Sequence, residues 1–371
     1  MTSVSHATEP ASLLPELGFY TLAGHSNSPR DLLGEVRTAE EIGLGAAFIS
    51  ERFNLKDACA LSGAAGAVSE RIGIATGATN HNTRHPLITA TFGTTMYRMT
   101  GGRFALGLGR GFGPLFDIMG LPRVTSAQLE DVAGILRTLW HGGSVVGHDG
   151  PAGTYPFLNQ DAAFDEHIPI MLVAIGERTL ELAGRIADGV ILHTFFTDDT
   201  LARSVAAVRR GEEIAGREPG STRIWSVLAT ISDDIADEEV RLRKLVGRLA
   251  SYMQGYGDVL VAANGWDPEV LVRFRAHELV QGARGALDAT AGRDELETIA
   301  TLFPPEWLEA SATGSPEECA RRVADQFAIG ADSVILHGAT PAELAPVVAA
   351  YRAVRPEGPN RARPANPGWM R

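Results

Sequence analysis

Ionisable side chains that follow short apolar runs are the first candidates for chemistry in this sequence: Glu51 and Arg52 after AAFIS, His81 after IGIATGATN, and His193 after GVIL. A carboxylate or an imidazole so placed can take or give a proton near neutrality. The Arg52 guanidinium stays protonated and serves to hold or orient a group, never as a base. Residues 71–113 read RIGIATGATNHNTRHPLITATFGTTMYRMTGGRFALGLGRGFG, which is strand, glycine-rich bend, helix, strand and glycine-rich loop in turn. Thr76, Gly77, Ala78 and Asn80 in the bend, and Gly109, Arg110 and Gly111 in the loop, supply small side chains and hydrogen-bonding groups where a backbone approaches a ligand closely. The run Ala174, Ile175, Gly176, Glu177, Arg178 and Thr179 is a strand exit turning into a helix. Unpaired amides and the positive dipole end favour an anion there, and Arg178 can pair with it. Tyr20, Phe112, Phe195 and Trp225 offer an apolar wall for a small substrate. Each group also has a plain structural reading: helix capping at 176–179, a turn at TGATN, core packing for the aromatics, backbone hydrogen bonding for the histidines.

Those positions must be carried by a repeating unit. Short β runs at 17–22, 46–50, 72–77, 104–108, 168–174, 190–193, 224–230 and 333–337 alternate with helical patterns at 29–42, 58–68, 87–99, 128–140, 178–187, 201–215, 317–328 and 341–351. Alternation of this kind specifies a parallel sheet covered by helices. Eight units fit a closed (β/α)8 TIM barrel, which builds its active site from the loops after the carboxyl ends of the strands. That rule selects 21–24, 51–52, 76–81, 109–112, 174–179, 193–196 and 337–338. His337 is thereby a further candidate. Two stretches exceed ordinary connections: 141–167, where HGGSVVGHDGPAGTYPF suggests a hairpin, and a helical insertion over about 232–313. The expected organisation is one barrel domain over 1–354, with insertions after the fourth and seventh strands, and an irregular Pro/Arg-rich tail over 355–371.

The chain has 371 residues, 44% hydrophobic and 21% charged, enough for a large core. A formal charge of −12 and a pI near 5.3 argue against nucleic acid or an anionic membrane surface as partner, leaving a small molecule. Cys59 and Cys319 form neither a disulfide framework nor a Cys-rich metal site. The opening MTSVSHATEPASLLPELG has no secretory character, so the expected location is the cytoplasm.

TGATNHNTRHP with GGRFALGLGRG, then AIGERTLELAGRIADGVILHTF, then GADSVILHG resemble the luciferase-like flavin-dependent oxidoreductases, and within them the branch that uses coenzyme F420, an 8-hydroxy-5-deazaflavin. FISERFNLKDACALSGAAGAVSERIGIATGATNHNTRHP, ILHTFFTDDT and WSVLATISDD resemble, more narrowly, a mycobacterial-type subfamily of unassigned substrate. The resemblance implies hydride transfer between F420 and a small organic substrate, no metal, and a homodimer. It places a non-prolyl cis peptide at Gly77-Ala78, the cofactor ring along 109–111, and its phosphate at 174–179. It gives Glu51 the family's carboxylate role near the ring. The sugar-phosphate dehydrogenase branch has His and Glu where this chain has Arg52 and Phe112, so that reaction is not expected. His81 or His193 would replace the missing proton donor. GLGRGFG also admits a dinucleotide-binding reading, but no acidic residue ends the next strand. Two alternatives stay open: an FMN-dependent two-component monooxygenase on the same fold, and a non-catalytic flavin or deazaflavin carrier.

Overall fold

The computed structural model describes residues 11–23, 28–53 and 55–371; Gly24, at the end of the first expected loop, lies outside them. Runs rich in Ala, Ile, Leu and Val are buried on both faces of a parallel sheet, which is why they read as continuous apolar stretches rather than alternating ones. They form β1 (Leu14–Tyr20), β2 (Leu44–Ile49), β3 (Gly73–Thr76) and β4 (Phe104–Gly109), followed by the pair β5 (Ser144–Gly150) and β6 (Gly153–Asn159). Then come β7 (Ile170–Val173), β8 (Gly189–Ile191), β9 (Arg223–Ser232), β10 (Ala312–Gly314) and β11 (Ser333–His337). Strands β1, β2, β3, β4, β7, β8, β9 and β11 pair in that order, all parallel, and β11 returns to β1, closing the eight-stranded barrel that the alternation calls for. The antiparallel β5–β6 hairpin turns at Pro151 and Ala152, and β10 extends the outer end of β9.

Inside the barrel, Phe48, Met171, Ile191, Trp225, Val227 and Ile335 fill the axis among small residues such as Ala46, Ala75 and Ala105. A much larger apolar layer lies between strands and helices. The helices carry their own start signals. Pro86 and Pro341 begin two of them, and Thr125, Ser315 and Thr340 form capping boxes that occupy otherwise unpaired amides. A short helix, Gly113–Met119, follows the glycine-rich loop, in a stretch to which the sequence reading assigns no element.

Two features position the site. Between β9 and β10 a set of helices covers the carboxyl end of the barrel. Its longest member, Arg248–Asn264, follows a π-helical turn at Arg243–Gly247 and is broken at Tyr256 (φ −133°, ψ 33°). At the opposite end the Pro/Arg-rich tail seals the base. The Trp225 indole N–H donates to the Pro367 carbonyl (2.8 Å), and Asn366 Nδ2 donates to the carbonyls of Gly102 and Phe104 (2.7 and 2.8 Å). Gly73 makes room for this: a Cβ there would stand 2.0 Å from the Ala365 carbonyl oxygen. The tail carries one 3-10 turn, Pro359–Ala362, and packs against the base of the barrel.

Candidate active site

The eight barrel strands run the same way, so their exits gather at one pole, and a cavity of about 220 Å³ opens there. Tyr20 and Gly77 come from the ends of β1 and β3, Arg52 and Lys56 from the loop after β2, Val173 from β7, His193 and Thr194 from the loop after β8, and His337 from β11. Tyr252 and Tyr256, from the broken helix of the insertion, form its roof. Tyr20 meets the edge of His337 with ring centroids 5.3 Å apart, and Tyr256 stands edge-on to His193 at 5.2 Å.

The bend after β3 contains a cis peptide at Gly77-Ala78, where the resemblance places one. The chain then returns to β4: the Thr79 amide donates to Gly107 O, and Gly109 N donates to Thr79 O. Of the bend residues, Gly77 borders the cavity; a Cβ on it would approach the Tyr20 ring to 3.0 Å, so a side chain here would press on the cavity wall. Thr76 does not face it. Its hydroxyl donates to Gly107 O and accepts from Gly107 N, both at 2.8 Å, tying β3 to β4. Asn80 donates to Gly109 O (2.8 Å), and Arg110 Nε donates to Val124 O (3.0 Å), so both shape the 109–111 loop. That loop and the 174–179 turn lie side by side, since β4 pairs with β7 through Gly109 and Val173. Gly176 caps the ten-residue helix Glu177–Ile186 with open space around its Cα, and Arg178 is exposed beside it.

Three expected roles require correction. Glu51 is not a free carboxylate at the cavity. One oxygen accepts from the Ala58 amide (3.0 Å), the other from the Thr79 hydroxyl (2.7 Å) and Arg84 Nη1 (2.8 Å), and the side chain is 4% exposed. With three donors on its two oxygens, it fastens the bend to the start of the helix Ala58–Val68 and borders an outer groove instead. Replacing it with alanine takes the acceptor from the Ala58 amide and the Thr79 hydroxyl and leaves Arg84 Nη1 with Thr79 Oγ1 alone, and should lower stability by about 1 to 3 kcal/mol, read from the urea midpoint; lost turnover at unchanged stability would restore a chemical role. His81 is turned away from the cavity and sits in the field of Asp131, and burial depresses its pKa. Trp225 and Phe195 do not wall the cavity either. Trp225 is the third residue of β9, toward its entry at the base, where its indole N–H binds the tail. Phe195 is fully buried with a left-handed backbone (φ 63°). Phe112 reaches the site at one remove, its ring 6.2 Å from that of Tyr256.

His193 is where sequence placed it, and its surroundings define its state. Nδ1 lies 2.8 Å from the Thr194 carbonyl, which can only accept, so Nδ1 carries the hydrogen and Nε2 is left with a lone pair. Burial pushes the pKa down to about 4, against the smaller opposing effect of that hydrogen bond. Nε2 accepts from the Tyr256 hydroxyl at 3.3 Å, and burial holds that phenol well above its ordinary range. The cavity thus joins a neutral base to a protonated phenol in a desolvated setting. Tyr252, Tyr256 and Lys56 escaped sequence reasoning; the spacing of the two tyrosines by four residues, one helical turn, was the available signal.

Residues 11–333 match the family model for luciferase-like monooxygenases. The chain is 25% identical over 328 residues to 5,10-methylenetetrahydromethanopterin reductase of Methanopyrus kandleri, covering 84% of this chain and 89% of that one. It is also 25% identical over 330 residues to the phthiodiolone/phenolphthiodiolone dimycocerosates ketoreductase of Mycobacterium tuberculosis, covering 85% and 82%. Among solved structures, the coenzyme F420 dependent tetrahydromethanopterin reductase of Methanopyrus kandleri superimposes with a TM-score of 0.75 at 22% identity, over 93% of this chain and 99% of that one. The oxygenating constituent of 3,6-diketocamphane monooxygenase of Pseudomonas putida, solved with FMN, does so at 0.58 and 16% identity, over 90% and 96%. The structural likenesses show a shared TIM-barrel fold, and the match over most of the chain places it: this protein belongs to the luciferase-like monooxygenase family and is an oxidoreductase.

Proposed function

We propose that the chain is an F420-dependent oxidoreductase acting on a small organic substrate, a reading carried chiefly by the neutral His193 and protonated Tyr256 facing one cavity at the strand exits. The surroundings suit the cofactor: Gly77 keeps side chains off the floor, and the amides of 176–179 with Arg178 suit a phosphate. When bound, F420 supplies or accepts a hydride at its deaza carbon. The chain's own groups manage the proton. An alcohol gives its hydroxyl proton to Nε2 of His193, and a carbonyl oxygen takes one from the Tyr256 hydroxyl. The tyrosine roof keeps water from the reacting centre.

Parallel titration of purified protein with F420 and FMN tests this reading. Binding of F420 at micromolar concentration or tighter, with weaker FMN binding, is expected; preference for FMN transfers the reading to a two-component monooxygenase, which the FMN-bound neighbour supports at the level of fold. Tight binding without turnover on any carbonyl, imine, enone or alcohol would leave a carrier. Arg178→Ala should weaken F420 binding on the order of tenfold, the effect of one charge-assisted contact, with thermal stability unchanged because the side chain is exposed. The homodimer belongs to the same proposal, and sedimentation showing monomer alone at micromolar concentration removes it.

A further inference from the structure

The charges around the cavity are one-sided. Arg52 and Lys56 line it together with His193 and His337, and among the described lining residues none is Asp or Glu; the sequence places no acidic residue at 24–27 or 54 either. Lys56 is 8% exposed, and its ammonium donates to the carbonyls of Thr21 and Leu22 at 3.2 and 3.4 Å, both long contacts for three hydrogens. Facing it are Arg52, the carboxyl of Glu35 from the helix Leu32–Ile42, and, further off, Arg248 and His337. Glu35 opposes this only in part: the Leu22 amide donates to one of its oxygens at 2.7 Å and favours its charge, but burial raises its pKa, and its pull on Lys56 is smaller than the effects of burial and Arg52. Arg248 is paired with Asp288 (2.7 Å). Burial, aided by Arg52, pushes the Lys56 ammonium down to about 7, as befits a cation short of counter-charge.

We infer that the substrate of this site is an anion, a small carboxylate or phosphate whose charged end lies against Lys56 and Arg52 while its reacting carbon faces His193 and Tyr256. The inference rests on the cavity being the substrate site of the proposed oxidoreductase. A desolvated ammonium such as Lys56, in a cavity whose described lining holds no carboxylate, favours an anionic ligand over a neutral isostere, and both Lys56 and the His193 side chain border the same 220 Å³ space.

Benzoate and benzamide, nearly identical in shape and different in charge, are the probes, titrated calorimetrically into F420-saturated protein and into the cofactor-free form. Benzoate is expected to bind at least about tenfold more tightly than benzamide with F420 bound, and Lys56→Met should abolish the preference while Lys56→Arg restores it. If Lys56→Met fails to fold, Arg52→Gln with the same pair of probes takes its place. Equal affinities, or no binding of either probe at ten millimolar, overturn the inference. A preference present in the free protein and lost on saturation with F420 also overturns it, by giving the cations to the cofactor. Should F420 itself fail to bind, the proposed function falls, and the benzoate preference of the free protein decides the anion inference alone.

Discussion

Glutamine in place of His193 is expected to reduce turnover by roughly 10²- to 10⁴-fold, the range for loss of a positioned acid or base, with a much smaller change in F420 affinity. Glutamine retains an N–H for the Thr194 carbonyl but lacks the basic Nε2 that meets the Tyr256 hydroxyl. Tyr256→Phe should produce a similar loss in the carbonyl-reducing direction. The pH profile gives an independent check. Because burial lowers the His193 pKa to about 4, the imidazole remains neutral and able to accept a proton as pH falls through 6.5, so activity in the alcohol-oxidising direction should persist there and fail near pH 4. A limb at 6.5 that disappears in the His193→Gln variant would show a solvated, ordinary histidine instead. Turnover unchanged in both variants would remove the pair from the mechanism.

The second large effect is on stability. Removing residues 364–371 should destabilise the protein by about 3 to 5 kcal/mol, the scale for stripping partners from a buried charge. Arg223 is fully buried at the base of the barrel and donates to the carbonyls of Asn366 and Trp369 (3.0 and 3.2 Å), as well as to Pro15 O and Ser333 Oγ. Its guanidinium also lies over the Trp225 ring, 4.5 Å from the centroid. Deletion takes away three of its acceptors, the Pro364 (3.4 Å), Asn366 and Trp369 carbonyls, and the partner of the Trp225 indole at once. Chemical denaturation of the truncated chain measures the loss, and Asn366→Ala, which breaks two bonds to the β4 region, should lose about 1 to 3 kcal/mol without opening the base. A truncated protein as stable as the parent would mean that the tail merely rests on the surface.

The barrel was legible because each buried parallel strand is a compact apolar run, and a run such as SVILH or ALGLG needs no knowledge of its neighbours to be recognised. The site was legible to the extent that strand direction decides it: His193, Gly77, Tyr20 and Arg52 follow strand ends and do meet. Direction also explains the misplacement of Trp225, which lies near the entry of β9 rather than its exit. Glu51 shows a different limit. Its position was readable, but the three donors that hold its carboxylate come from residues 58, 79 and 84, a convergence that exists only in three dimensions. Tyr252 and Tyr256 were hidden because RLASYMQGYGDVLVAAN reads as any amphipathic helix, and nothing local says that this face looks into a barrel. The packing of the tail was not legible, because proline and arginine speak to its local conformation and not to whether it docks against the barrel base.

The cavity therefore has two makers. Its floor consists of loops anchored by the closed ring of strands, whereas its roof is borrowed from one helix of the 238–309 layer. Rewriting Tyr252, Tyr256 and their neighbours would change which molecules enter while leaving the ring of strands intact. A lineage or an engineer could thus exchange the roof as a unit, diversifying substrates over an unchanged floor.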